Sequence, residues 1–153
     1  MTTAWRICHA SRAGTAYSGA GAAEFPGRWN SAGRKMVYCA TTRALAAMEI
    51  LANVEEKSIL RKASFVAIEV EIPDGLIFLP RTLPDDWRRT PVPPDTRKFG
   101  DKFLDGGRHP AMRVPSVVVL GEFNFVLNPL QAGFADLKIG RPEIFQFDPR
   151  VTG

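Results

Sequence analysis

The sequence predicts an α+β fold of many short strands and one or two helices, and three observations carry that reading. Short apolar, β-branched runs recur along the chain, separated by Gly-, Pro- and Asn-containing breaks. Only residues 43–54, with ALAAMEILA at their centre, consist mainly of strong helix formers. No regular strand–helix–strand alternation and no Gly-rich phosphate loop appears, which argues against a doubly wound sheet or a P-loop. The 153 residues suit one domain spanning 1–153, large enough to bury a core without a disulfide or metal staple.

Taken in order, Trp5–His9 is a short apolar run and reads as a strand. Residues 11–35 are rich in Gly, Ala and Ser and contain Pro26, a composition that suits a long ordered loop more than a helix. Met36–Ala40 reads as a strand. Thr41 or Thr42 can cap the helix that follows, from Arg43 to about Val54. Ser64–Ile72 alternates, with Val66, Ile68, Val70 and Ile72 on one face. Pro73, Asp74 and Gly75 end it in a turn, and Leu76–Leu79 fits another short strand. Five prolines between residues 80 and 97 break regular structure there. Thr96–Leu104 fits a short helix. Val114–Leu120 is β-branched and reads as a buried strand, with Glu122–Leu127 continuing it or pairing with it until Asn128-Pro129. Ile144–Phe147 reads as a last strand.

Composition narrows the function. Net charge is +4, from 20 basic and 16 acidic residues. The isoelectric point is about 9.4, but the basic residues are scattered, and the densest cluster is the pair Arg88-Arg89. That pattern lacks the stripe of a nucleic-acid binder and suits an anionic small molecule equally well. A non-catalytic nucleic-acid-binding module therefore has only the isoelectric point in its favour. Two cysteines, Cys8 and Cys39, fit a reduced, cytoplasmic chain. No metal-ligand spacing, signal peptide or membrane-length apolar run is present.

Glu49 lies one turn after Leu45 and near Met48 and Ala52, on or beside the inward face of its helix. A carboxylate there needs a partner. It either reaches water, Arg43 or Lys57 at the helix edge, or is aimed into a cleft, where it accepts hydroxyl hydrogen bonds or stabilises positive charge. Arg28, between Gly27 and Trp29, can offer a forked donor to a phosphate; read alone, it is a solvated arginine beside a core tryptophan. Tyr38 is either a half-buried strand tyrosine or a group that stacks on a ring. Ser116 has no nucleophile elbow, and neither His9 nor His109 has a spacing that recommends it as a base. Asn128 is a turn former, and Asn124 is the less expected asparagine, inside an apolar strand.

Three stretches, GRWNSAGRKMVYCATTRALAAMEIL, FGDKFLDGGRHPAMRVPSVVVLGEFNFVLNP and FQFDPR, resemble the RES domain, in order and spacing, over nearly the whole chain. The resemblance implies a compact fold related to the diphtheria-toxin type of ADP-ribosyltransferase, with short, mostly antiparallel strands and few helices. It implies the toxin of a type II toxin–antitoxin pair that consumes NAD⁺ as a substrate, by hydrolysis or by phosphorolysis with inorganic phosphate as co-substrate, or that transfers ADP-ribose to a protein. It implies no metal or other cofactor. The implied partner is a neutralising antitoxin with an Xre-like helix-turn-helix region that occludes the active site. The family's arginine, glutamate and serine match Arg28, Glu49 and Ser116. Tyr38, Arg6 and Asn124 match further pocket positions. Phe103 stands where the family often has tryptophan, and the stretch 80–97 matches no motif.

Overall fold

A computed structural model describes all of residues 1–153. Its centre is one curled sheet in the order β4-β5-β6-β2-β1-β3-β7, with β8 also paired to β3. The strands are β1 (Thr2–His9), β2 (Val37–Ala40), β3 (Phe65–Ile72), β4 (Ile77–Phe78), β5 (Ala111–Pro115), β6 (Phe123–Leu127), β7 (Lys138–Ile139) and β8 (Glu143–Phe145). Every pairing is antiparallel except that of β4 with β5. The expected α+β class of short, mostly antiparallel strands and few helices is what the chain adopts.

The long pairing of β1 with β3 matches Thr2 to Ile72 and His9 to Phe65 without a break. Between β1 and β2 only Trp5 and Ala40 are matched. Side chains alternate across this sheet, and both faces are covered. One face gathers Ala4, Val37, Cys39, Val66, Ile68, Val70, Ile72, Phe125 and Leu127, closed by Tyr17 and Leu137 from the surrounding loops. The predicted stripe Val66, Ile68, Val70 and Ile72 is therefore core.

The other face carries the helices. Helix α2 (Arg43–Asn53) begins at Thr42, whose Oγ1 accepts from the Leu45 N–H at 3.0 Å. It buries Leu45 and Ala46 against Ile7, Ala40 and Ala67. Helix α4 (Pro94–Gly106) has proline in its first turn, where a missing N–H costs nothing. It ends before Gly107 at φ +57°, a left-handed position that glycine occupies without strain. Its buried residues Thr96, Gly100 and Leu104 recur at helical spacing. Three short helices complete the chain: α1 (Ala20–Glu24), α3 (Ile59–Lys62) and α5 (Pro149–Thr152).

Some expectations are corrected. The stretch 11–35 is not all loop, since it holds α1 and part of a 3₁₀ helix over Ala10–Thr15. The strand expected over residues 114–120 is realised only at Val114 and Pro115. β5 ends at Pro115, and Val117–Leu120 turn back toward β6. The cause is Ser116, whose Oγ accepts from the Val118 and Val119 N–H groups at 3.1 and 3.0 Å. That local bond competes with the ladder and overrides β-propensity. Leu120 is accordingly exposed.

Candidate functional site

The covered face leaves a polar seam between α2 and β5–β6. Glu49 enters it from α2 and is half-buried. Its Oε2 accepts from Ser116 Oγ at 2.7 Å and from Asn124 Nδ2 at 2.8 Å. Asn124 belongs to β6, opposite both Ala40 and Val114, so sheet pairing places it beneath α2. Ser116 is buried, and its backbone N–H donates to the Glu122 carbonyl at 2.9 Å. Its hydroxyl accepts two amides and donates its one hydrogen to the carboxylate, so its hydrogen-bonding capacity is filled. This geometry suits an anchor for Glu49 and leaves no role as a nucleophile. Oε1 of Glu49 takes no hydrogen bond from the protein. One oxygen is thus pinned and the other is open.

Asn124 is oriented by the same contact. An amide beside a carboxylate turns its Nδ2 donor toward the charge, and its Oδ1 is then a buried acceptor without a protein partner. Such a group is costly unless something donates to it.

Arg28 sits in the loop before β2, also half-buried. Its Nη1 donates to the Trp87 and Arg89 carbonyls at 2.9 and 2.7 Å, and its Nη2 to Thr90 Oγ1 at 3.3 Å. Most of its fork therefore holds the proline-rich stretch. Loss of water around Arg28 pulls its pKa below the usual arginine value. The Glu49 carboxylate opposes that shift and Arg97 adds to it. Arg28, Glu49 and Arg97 thus share one electrostatic neighbourhood.

Tyr38 organises the Arg28 loop from below. Its hydroxyl accepts from the Trp29 N–H at 3.0 Å and donates to Asn30 Oδ1 at 2.6 Å. Burial drives its pKa upward, so it stays a neutral phenol. Gly27 lies against its ring, where an added Cβ would come within 2.6 Å of Cζ. Trp29 stacks on Trp87 at 6.4 Å between centroids.

Arg6 is set apart from this group. It alternates onto the face of its β3 partner Ile68, a core residue of the opposite face. Its Nη1 donates to the Tyr38 carbonyl at 3.2 Å, across the gap where β1 and β2 are no longer paired, and its Nε has no partner. It forms no ion pair with Glu49. The structure thus gathers Glu49, Ser116 and Asn124 by direct contact, brings Arg28 and Tyr38 near them, and leaves Arg6 behind the sheet seam.

Three neighbours were not singled out from the sequence. Asn30 is wholly buried, and its amide binds Gly27 N–H and the carbonyls of Ala22, Ser31 and Arg34. Asp101 of α4 accepts from Ser31 N and Oγ at 3.0 and 2.5 Å. Arg97 of α4 donates from Nε to the Gly27 carbonyl at 3.0 Å. Asn30 lies inside the Gly-Arg-Trp-Asn stretch, and a polar residue next to a core tryptophan was the available signal. Asp101 and Arg97 gave none, because their partners lie 70 residues away. A separate cleft of about 720 Å³ lies between α4 and the β4 edge, lined by Phe78, Phe103, His109 and Met112 among others. None of the carboxylate's partners lines it.

The family model described as the RES domain matches residues 3–148. Toxin Res of Yersinia enterocolitica is 32% identical over 148 residues, covering 96% of this chain and 97% of that one. The Prs ADP-ribosylating toxin of a Sphingobium species is 32% identical over 159 residues, covering 99% and 98%. Among solved structures, a chain of the M. tuberculosis MbcT–MbcA toxin–antitoxin complex aligns with a TM-score of 0.72 at 18% identity, over 95% of this chain and 84% of that one. That last likeness is one of fold.

Proposed function

The chain belongs to the RES domain family, and from that premise we propose that it is the toxin of a toxin–antitoxin pair that cleaves the nicotinamide–ribose bond of NAD⁺. The observation that carries the reading is the Glu49 carboxylate, with Oε2 fixed by Ser116 and Asn124 and Oε1 open. Cleavage breaks the bond between the ribose C1 carbon and the nicotinamide nitrogen. The electron pair leaves with nicotinamide, which becomes neutral, and positive charge develops on the ribose. A carboxylate already held in place stabilises that charge without reorganising, the form of electrostatic help that is largest in enzymes. Its open oxygen also accepts from the ribose hydroxyls. Water or inorganic phosphate then attacks the ribose and releases its proton. No metal or further cofactor enters this scheme.

In this reading Glu49 is the catalytic residue, and Ser116 and Asn124 position it. Arg28 holds the 87–90 stretch and adds positive potential beside Glu49. Tyr38 holds the Arg28 loop, and Arg6 supports the strand behind it. The whole of 1–153 acts as one domain around the single sheet. The partner is a cognate antitoxin with an Xre-like helix-turn-helix region that covers the Glu49 seam. No helix is long and apolar enough to cross a membrane, which is consistent with a cytoplasmic site of action.

The test is to incubate the purified chain with NAD⁺, with and without phosphate. Nicotinamide release is the expected result; ADP-ribose or ADP-ribose 1″-phosphate as co-product separates hydrolysis from phosphorolysis. The name of the Sphingobium relative favours a second reading, ADP-ribosyl transfer to a protein. Label from NAD⁺ retained on a macromolecule would establish it. Absence of any nicotinamide release would sink both.

A further inference from the structure

The proposed substrate carries a diphosphate, and the inference here rests on that reading of the Glu49 seam. The arginine singled out by sequence spends three of its five N–H groups on the protein, since Nη1 and Nη2 of Arg28 already serve Trp87, Arg89 and Thr90. Arg97 is in the opposite situation. It stands near the start of α4, half-buried. Its one protein hydrogen bond runs from Nε to the carbonyl of Gly27, the residue before Arg28. That bond fixes the stem and the plane of the guanidinium. Both terminal nitrogens have no protein partner and are not sealed from solvent.

Charge points the same way. The ion pairs of the chain engage Met1, Arg34, Arg43 and Arg150, and none involves Arg97. Arg28 and Arg97 therefore bring two positive charges to one partly desolvated place. Loss of water is the main cause that lowers the Arg28 pKa, and the like charge of Arg97 adds to it. Glu49 is the acid that opposes Arg28 there. A pre-oriented, unpaired guanidinium beside a second one favours an anion with two acceptor oxygens.

We propose that Arg97 is a diphosphate-binding residue of the substrate site, forking its two free Nη groups onto phosphate oxygens while Arg28 keeps the 87–90 stretch in place. The diphosphate would then lie over the N-terminal part of α4, and the ribose that carries nicotinamide would lie toward Glu49.

Two variants separate this from a role in holding the loop. Arg97→Gln removes the charge and the fork but keeps a side-chain N–H for the Gly27 carbonyl. Arg97→Lys keeps the charge and loses the fork. Loss of a charge-assisted hydrogen-bond pair predicts that KM for NAD⁺ rises roughly ten- to a hundredfold in Arg97→Gln, with kcat within about threefold of the parent. Arg97→Lys should recover part of that loss. The increase of KM with added salt should be shallower in Arg97→Gln. Inorganic pyrophosphate should raise the thermal midpoint of the parent protein and fail to raise that of Arg97→Gln. This last measurement needs no turnover. A chain that does not cleave NAD⁺ would overturn the functional reading, while the pyrophosphate comparison would still decide the anion site. Unchanged KM, salt dependence and pyrophosphate shift in Arg97→Gln would overturn the proposal. So would a fall in kcat and thermal midpoint with KM unchanged, which marks a structural role.

Discussion

Glu49, Ser116 and Asn124 show how three residues far apart in sequence become one group. The helix period was enough to place Glu49 beside the inward face and to require a donor near it. The donors themselves lie 67 and 75 residues away, and no local pattern links them. Only the resemblance to a family connected Ser116 and Asn124 to Glu49 in advance. Ser116 was the hardest to read, because the valines after it suggest a strand, whereas its hydroxyl folds them into a turn. Ser116→Ala therefore removes one donor to Glu49 and strands two amides. It should cost on the order of 1–3 kcal/mol of stability, measured by denaturant unfolding, and lower nicotinamide release at least tenfold. Asn124→Leu tests the second donor. It should reduce release similarly with a smaller loss of stability, since the buried Oδ1 that lacks a partner goes with it.

The elements around the site are joined by contacts that only small residues permit. Helix α4 meets the Arg28 loop at Gly100, where an added Cβ would stand 1.6 Å from the Trp29 carbonyl oxygen. The obstacle is backbone and cannot rotate away. Gly100→Ala should destabilise the fold by roughly 2–3 kcal/mol or more, as overpacking of a tight interface does. Gly106→Ala on the same helix faces open space and should change stability by less than about 1 kcal/mol. Thermal unfolding of the two variants checks the contrast. The sequence marked a helix from Thr96 to Leu104 and thus caught its core. It did not mark the helix's role, because a glycine inside a helix reads as a weakness until the neighbouring loop is in view. The proline-rich stretch was likewise read only as broken structure. Its backbone carbonyls, which leave no sequence trace, are what Arg28 grips.

At the scale of the molecule, the long strands, α2 and the α+β class were legible because their apolar periods are strong. The sheet order was not, since it depends on long-range pairings such as β2 with β6. That sheet encloses ionisable hydroxyl and thiol groups. Burial raises the pKa of Tyr17 and Tyr38 and pushes the Cys39 thiol from 9.0 up to about 12. Each group is held in its protonated form more firmly when folded than when unfolded. The folded state therefore binds more protons above the unfolded thiol value, and stability falls as pH rises. For Cys39 that loss begins near pH 9, progresses toward about pH 12, and is absent at neutral pH. Thermal midpoints should decline from about pH 9 to roughly pH 10.5, and Cys39→Ala should make the decline shallower. A midpoint of the parent protein that does not fall across that range would contradict the burial argument.

Under the proposed function, one fixed carboxylate, that of Glu49, makes this fold an NAD⁺-cleaving enzyme. The most direct test is nicotinamide release from NAD⁺ by the parent protein and by Glu49→Gln, a variant of nearly the same shape that removes the charge. Release by the parent is expected, with a loss of roughly a hundred- to a thousandfold in the variant and an unfolding transition close to the parent's. Equal release by the two proteins would exclude the Glu49 carboxylate from that role.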